Sequence, residues 1–389
     1  MSGHAISAIR NGRVFSAGIL RCNTDVGIAD GVIMAVGDAV DAEIVIDAEG
    51  CYVLPGLIDL HTHGIGLISA MEGSLEEYAQ AEARRGATTF FPTFFGPPDE
   101  TARHMKRHLQ ETNGLTSTPT VGGFRLESPY LAKTGAGIGR DLIRIEDSIT
   151  DMLLDAGDGH IRIWDISPEL DGATGFIRDQ SGEGIVCSIA HTGCTIEQAR
   201  EAANAGARLV THLFDVFDLP IPTDPGVYPP SLTDYLLLDD RLYCEIIGDG
   251  THVHPLLVAL TLRCKTTNRT VFVTDSNYGA GMPSGDYTLP GGWGRARIDG
   301  SNNGVRLIDR DLGLAGSALT PIDNFRNVMR LFRQDTGTAV SLCSTTPAAI
   351  LGLNKGDIAV GRDADIIIVD EDFDVCYTIA SGDVVYRRD

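Results

Sequence analysis

The chain has 389 residues, with 31 Lys and Arg against 53 Asp and Glu, a formal charge of −22 and a pI near 4.7. Such acidity repels polyanions and anionic membrane surfaces, which excludes nucleic acid and lipid as main partners. It leaves an anionic small molecule open, because a few local cations can reverse the field inside a pocket.

The first fifty residues read as short strands with tight turns: Ala5 to Ile9, Val26 to Ile28, Val32 to Val36 and Glu43 to Asp47, broken by Asn11-Gly12, Asp30-Gly31 and Glu49-Gly50. Met1 to Phe15 carries Arg10 and Arg13 but no apolar stretch after them long enough for a signal peptide. The middle alternates strand and helix. Candidate strands are Gly56–His63, Thr88–Thr93, Gly122–Glu127, Ile161–Ile166, Ile185–His191, Ala207–His212, Leu242–Gly248 and Thr270–Asp275. Ser74 with Glu77, and Thr195 with Gln198, fit capping boxes, and Gly86 and Gly206 close those helices. Apolar strands with interleaved helices predict an α/β fold, a (β/α)8 TIM barrel of parallel strands. Ser276 to Gly304, rich in Gly, Pro and Asn, reads as a long loop over the barrel mouth. Asp365 to Asp370, Val375 to Ile379 and Val384 to Tyr386 are again strands. The two β-rich ends therefore predict a small discontinuous β-sandwich domain, residues 1–54 and 355–389, around a barrel domain of residues 55–354.

Runs such as Leu256 to Leu260 are too short to span a bilayer. Eight cysteines without a CxxC pair read as reduced, mostly buried thiols of a cytoplasmic protein. Cys187 and Cys194 flank a histidine, but at wider spacing than structural zinc ligands usually keep.

Polar residues gather where the barrel strands end. The first strand ends in Asp59-Leu60-His61-Thr62-His63, and alternation puts Asp59, His61 and His63 on one face. The third ends in Glu127, the fifth in His191, the sixth in His212 and the eighth in Asp275. Barrel active sites lie at that end of the strands, so four imidazoles and two or three carboxylates converge. Zinc, iron and manganese accept such ligands, and a divalent ion removes the cost of burying the carboxylates unpaired. His4, His104, His108 and His160 read as solvated.

The segment Pro55-Gly56-Leu57-Ile58-Asp59-Leu60-His61-Thr62-His63-Gly64 resembles the first-strand motif of the amidohydrolase superfamily. Leu126-Glu127-Ser128-Pro129, Ala190-His191-Thr192, Thr211-His212-Leu213-Phe214, Asp249-Gly250-Thr251-His252-Val253, Val273-Thr274-Asp275, Leu314-Ala315-Gly316-Ser317 and Pro347-Ala348-Ala349 follow in the order seen in its N-acetylglucosamine-6-phosphate deacetylase branch. Gly361-Arg362-Asp363-Ala364-Asp365 is similar to the turn that leads back into the superfamily's β-sandwich. The resemblance covers nearly the whole chain.

That resemblance implies roles. Glu127, His191 and His212 match the family's metal ligands, and Asp275 its catalytic acid/base. His61 and His63 match ligands of members with a second metal, so one or two ions are implied, zinc first, with iron or manganese as alternatives. Ala136, Asp215, Val216, Asp249, Gly250, His252, Leu314, Ala315 and Gly316 match stretches that line the substrate site. The implied partners are a small N-acyl substrate and a second copy of the chain in a homodimer.

The substrate shell departs from the family pattern. Arg125 stands where the family usually has His, and Gly135-Ala136-Gly137 where it has Gly-x-His. Thr223-Asp224 precede Pro225-Gly226 where an arginine grips the sugar phosphate, and Asp215 replaces Asn. Arg125 shares a strand face with Glu127. It either meets an anionic group in the pocket or pairs with Asp59 or Glu127. Arg295 and Arg297 are further candidates for an anion clamp. The sequence thus favours metal-assisted removal of an N-acyl group from an amino sugar. The alternatives are another N-acyl or cyclic amide in the same superfamily, and a non-catalytic scaffold.

Overall fold

The computed structural model describes residues 7–37, 41–135, 142–220 and 224–389. Eight parallel strands form one continuous sheet. They are β1 (Leu57–Thr62), β2 (Ala87–Phe94), β3 (Phe124–Leu126), β4 (Ile161–Ile166), β5 (Val186–Ile189), β6 (Leu209–Val210), β7 (Tyr243–Ile247) and β8 (Thr270–Val273). β8 returns to β1 at the C-terminal end, where the Asp275 N–H donates to the His61 carbonyl at 2.8 Å and the His63 N–H to the Ser276 carbonyl at 2.8 Å. Each strand is followed by a helix: α1 (Leu75–Ala83), α2 (Pro98–Glu111), α3 (Asp147–Gly157), α4 (Ala173–Gly182), α5 (Ile196–Ala205), α6 (Leu232–Leu238), α7 (Pro255–Lys265) and α8 (Pro321–Arg330). This is the expected α/β barrel.

Local chemistry starts these helices. Thr195 and Gln198 form a full capping box at α5, whereas at α1 Ser74 accepts from the Glu77 N–H. The buried stripe of α2 runs through Thr101, Ala102, Met105 and His108, a helical spacing that carries His108 inward. His108 is therefore not solvated: its Nε2 lies 2.8 Å from the Ala70 carbonyl, and burial, reinforced by Arg107, pushes its pKa down to about 4.

Inside the barrel, alternation produces layers. Ile163, Val186, Leu209, Tyr243 and Val271 belong to one apolar cluster. Two residues further along their strands come Asp165, Ser188, Thr211 and Glu245, all fully buried, which with Arg125 of β3 make a polar floor. Another step along β3 brings Glu127 to the mouth. The outward partners, such as Phe124, Trp164, Cys187, Cys244 and Phe272, pack in the larger core.

The two ends of the chain pair in space. Five N-terminal strands (Ser7–Ser16, Ile19–Ala29, Val32–Gly37, Ile44–Asp47, Tyr52–Pro55) and three C-terminal ones (Ile366–Val369, Val375–Ala380, Asp383–Arg387) form one mixed sheet. They are joined where Tyr52–Pro55 runs antiparallel to Ile366–Val369. Its core mixes Ile9, Val26 and Val53 with Ile366, Ile368 and Ile379. Asn11-Gly12 is not a turn: both lie inside Ser7–Ser16, where register shifts flank Gly12, and a side chain there would collide with Val53.

The expected long loop after β8 is instead built from short strands. Gly285–Leu289, Gly294–Ile298, Val305–Leu307 and Gly313–Leu314 form a four-stranded antiparallel sheet over its own cluster of Tyr278, Leu289, Ala296, Ile298, Val305 and Leu307. All eight cysteines are free; Cys187, Cys194, Cys244 and Cys343 are buried, while Cys22 and Cys264 are exposed. Among the described residues, no helix is long and apolar enough to cross a membrane.

Candidate metal centre and substrate cavity

The strand ends deliver their polar residues to one point over the barrel axis. His191, His212 and Asp275 lie just past β5, β6 and β8 with φ of 46°, 24° and 47°. Left-handed backbone at a non-glycine costs about 1–3 kcal/mol and persists only where the surroundings impose it. At Asp275 they do: its N–H is held by His61, and its carbonyl accepts from the Ser317 N–H at 2.7 Å. Gly316 permits that approach. It has φ +68°, and a Cβ there would lie 2.7 Å from the Asp275 carbonyl oxygen.

Glu127 is central. Its Oε1 lies 3.0 Å from His191 Nε2 and 3.2 Å from His212 Nε2, and its Oε2 lies 3.1 Å from His63 Nε2. His61 and His63 bring their Nε2 atoms within 3.2 Å of each other, and Asp275 Oδ1 sits 3.4 and 3.3 Å from them. Two groups of three donors result, His61/His63/Glu127 and Glu127/His191/His212, sharing the glutamate. Asp59 stays below and accepts from the Thr274 N–H at 3.2 Å.

Two of the four imidazoles are oriented as ligands by a backbone carbonyl. His63 Nδ1 lies 3.1 Å from the Thr93 carbonyl and His191 Nδ1 3.1 Å from the Lys133 carbonyl. A carbonyl only accepts, so Nδ1 carries the proton and the Nε2 lone pair faces the centre. The electrostatics demand positive charge there. Burial by itself would raise Glu127, but His61 and His63 hold it well below the carboxylate range. Asp275 is likewise held at about 2, against burial, by His61 and His63. Burial would lower His63 and His212, yet the carboxylates around them raise both to about 10. A divalent cation meets this demand without protonating the lone pairs. Nitrogen and oxygen donors of this kind suit zinc, iron or manganese.

A cavity of about 190 Å³ opens above the centre. Asp215, Val216, His252, Leu314, Ala315 and Gly316, singled out from sequence, line it with His63, Glu127, His191, His212 and Asp275. Asp249 does not line it. It is buried behind His252, whose Nδ1 lies 2.7 Å from its Oδ2. Burial opposes protonation of His252, but Asp249 outweighs it and raises the pKa. Gly250 forms the turn at φ +71°. Ala136 lies outside the described residues.

Arg125 is a correction. It faces the barrel interior as alternation predicts, but one layer too deep to reach a ligand or the expected Asp59 or Glu127. It is fully buried and donates to Asp165 at 3.0 and 2.9 Å, to Glu245 at 2.6 and 3.1 Å, to the Leu60 carbonyl at 3.1 Å and to Thr211 at 3.0 Å. Arg295 and Arg297 are not an anion clamp either. They are exposed and paired with Asp309 and Asp286, each at 2.8 Å. Sequence reasoning missed Phe95, Asn277 and Trp293 on the cavity wall, which Gly135 of the Gly135-Ala136-Gly137 segment also lines. Trp293, one of only two tryptophans and set in a glycine-rich stretch, was the readable signal.

Comparison with known proteins agrees with this geometry. The sequence profile of the amidohydrolase family matches residues 177–385. The chain is 30% identical over 351 residues to N-acetylgalactosamine-6-phosphate deacetylase of Escherichia coli O157:H7, covering 88% of this chain and 89% of that one. It is 30% identical over 383 residues to N-acetylglucosamine-6-phosphate deacetylase of Lysinibacillus sphaericus, covering 96% of each. Among solved structures, a mutant N-acetyl-D-glucosamine-6-phosphate deacetylase from Mycobacterium smegmatis, in complex with N-acetyl-D-glucosamine-6-phosphate, superposes with a TM-score of 0.83 at 27% identity, covering 99% of this chain and 100% of that one. With the barrel, the shared glutamate and the flanking histidines all in place, the chain belongs to the amidohydrolase family.

Proposed function

We propose that this protein is a metal-dependent hydrolase that removes an N-acyl group, in the first instance N-acetyl, from an amino sugar, in the manner of the N-acetylglucosamine-6-phosphate deacetylases it resembles. The observation that carries the reading is the convergence of Glu127, His191 and His212 beside Asp275 at the floor of the cavity. Glu127, His191 and His212 would hold one ion; His61 and His63, sharing Glu127, would hold a second. Such an ion, zinc before iron or manganese, supplies a water of lowered pKa and polarises an acyl oxygen.

The chain's own residues do the rest. Asp275, ionised and within reach of the centre, takes the proton of the attacking water and returns it to the departing nitrogen, since an amine leaves only when protonated. His252, fixed by Asp249 through Nδ1, presents Nε2 to the cavity, where it orients the substrate or supports the developing oxyanion. Val216 and Leu314 to Gly316 shape the wall against the substrate. The enzyme acts as a cytoplasmic homodimer in this reading. Asp275→Asn tests it: metal content by mass spectrometry should stay stoichiometric while kcat falls about 10²–10⁴-fold. Full activity in that variant would remove Asp275 from the mechanism.

A further inference from the structure

Two cavities meet at the edge of the metal centre. His63, Phe95, Asn277 and Trp293 line both the substrate cavity and a neighbour of about 320 Å³. The neighbour's wall also draws on Met71 and Glu72 after β1 and on Glu100, Arg103 and His104 of α2. We infer that this second cavity receives the acyl half of the substrate, so that the enzyme removes acyl chains longer than acetyl that end in a hydroxyl or another uncharged hydrogen-bonding group. The inference rests on the deacylation reading and specifies its acyl group, with acetyl as the smallest member of the series.

The placement follows from where the proton must go. Asp275 returns it to the departing nitrogen, and Asp275 lines the first cavity with His252 and Asp215, so the amine half lies there. Among the described residues, the second cavity shares none of Glu127, His191, His212 and Asp275 and touches the centre through His63. The two substituents of an amide carbonyl carbon diverge. With nitrogen on the Asp275 side, the acyl chain runs past His63, Phe95 and Trp293. A methyl group is far smaller than the volume beyond them. Phe95, Trp293 and Met71 offer apolar surface to methylenes. The charge on the rest of the wall is mixed. Arg103 stands with Glu72 and Glu100, and His104, whose pKa burial with Arg107 and Arg103 pushes down to about 4, is neutral at neutral pH. Such a wall both donates and accepts, which suits a hydroxyl or an amide better than a lone carboxylate or ammonium. Glu100 and Arg103 are exposed, so the cavity opens to solvent on that side and leaves room for the chain to lengthen.

The test uses D-glucosamine and its 6-phosphate, each carrying an N-acetyl, N-butanoyl or N-4-hydroxybutanoyl group, on the metal-loaded protein. Within either sugar series kcat/KM should rise about three- to fourfold per methylene from acetyl to butanoyl, and about fivefold again with the terminal hydroxyl. Arg103→Met should remove the gain from the hydroxyl, chiefly through KM, and leave the acetyl compounds unchanged. Rates that fall as the chain lengthens, or a hydroxyl preference that Arg103→Met leaves unmoved, overturn the inference. Cleavage of the acetyl compounds alone would leave the deacylation reading standing without it. Calorimetry on metal-loaded Asp275→Asn, with the same compounds, reads the ranking without turnover. The expected ranking there, with no amide cleaved by the wild type, would break the deacylation reading alone, and binding of none of the compounds overturns the inference.

Discussion

Two charged layers lie one strand step apart inside the barrel, and they are built on opposite rules. The floor sets the Arg125 guanidinium between Asp165 and Glu245, opposite charges in bidentate contact. The mouth gathers four imidazoles around Glu127 and Asp275, groups that present lone pairs to one another. The floor's charges are matched by fixed partners, with His61 reaching down to Glu245 at 3.6 Å; the mouth is completed only by a cation. Burial alone does not make a site. What marks the mouth is an unmet demand for charge, together with the left-handed backbone at His191, His212 and Asp275.

Substitutions should separate the layers. The largest effect belongs to the mouth. Glu127→Ala removes the donor common to both groups, so bound metal should fall to near zero and turnover by at least about a thousandfold, with the fold intact by circular dichroism. Next comes the floor. Arg125→Met leaves two buried carboxylates without their guanidinium counter-charge and should cost about 3–5 kcal/mol in urea unfolding, whereas combining it with Asp165→Asn and Glu245→Gln should recover much of that loss. If Arg125→Met instead abolished substrate binding at unchanged stability, the two-layer picture would fail.

The layers should also respond to pH differently: the floor loses stability in acid, whereas the metal-free mouth has an acid flank from Glu127 and Asp275 and an alkaline one from its histidines. Burial would raise Glu245, but Arg125 and His61 hold it at about 2, below its ordinary 4.5. Its contribution to stability is present above 4.5 and lost as pH falls toward 2. In the metal-free protein His63 and His212 are raised from 6.5 to about 10. Their contribution is full below 6.5 and lost as pH rises through 10. Unfolding curves of chelator-treated protein should show both flanks, and metal should abolish only the alkaline one. The smallest effect is Thr211→Val, which deletes a hydroxyl that donates to Asp165 at 2.9 Å and accepts from Arg125. It should cost about 1–3 kcal/mol and leave metal content untouched.

Much of this was legible in the sequence, for physical reasons. The barrel strands announce themselves because both faces are buried, which makes each a near-continuous apolar run. The metal donors are legible because they share a topological position, the residue or two past a strand. Depth was not legible. Alternation assigns Arg125 and Glu127 the same face, but a two-residue step is about 6.6 Å, enough to separate a structural ion pair from a site. The sheet over the mouth was hidden because its strands are two to five residues long among glycines that read as loop. His108 was missed because a single histidine inside a charged helix hides its place on the buried stripe.

The central claim is that Glu127, His191 and His212 hold a divalent cation. Anomalous diffraction from crystals of the protein purified without chelators, measured at the absorption edges of zinc, iron and manganese, tests it directly. A stoichiometric peak enclosed by those three side chains is expected, with a second beside His61 and His63 if two ions bind. A map with no peak there, from protein that cleaves amides at full rate, would contradict it.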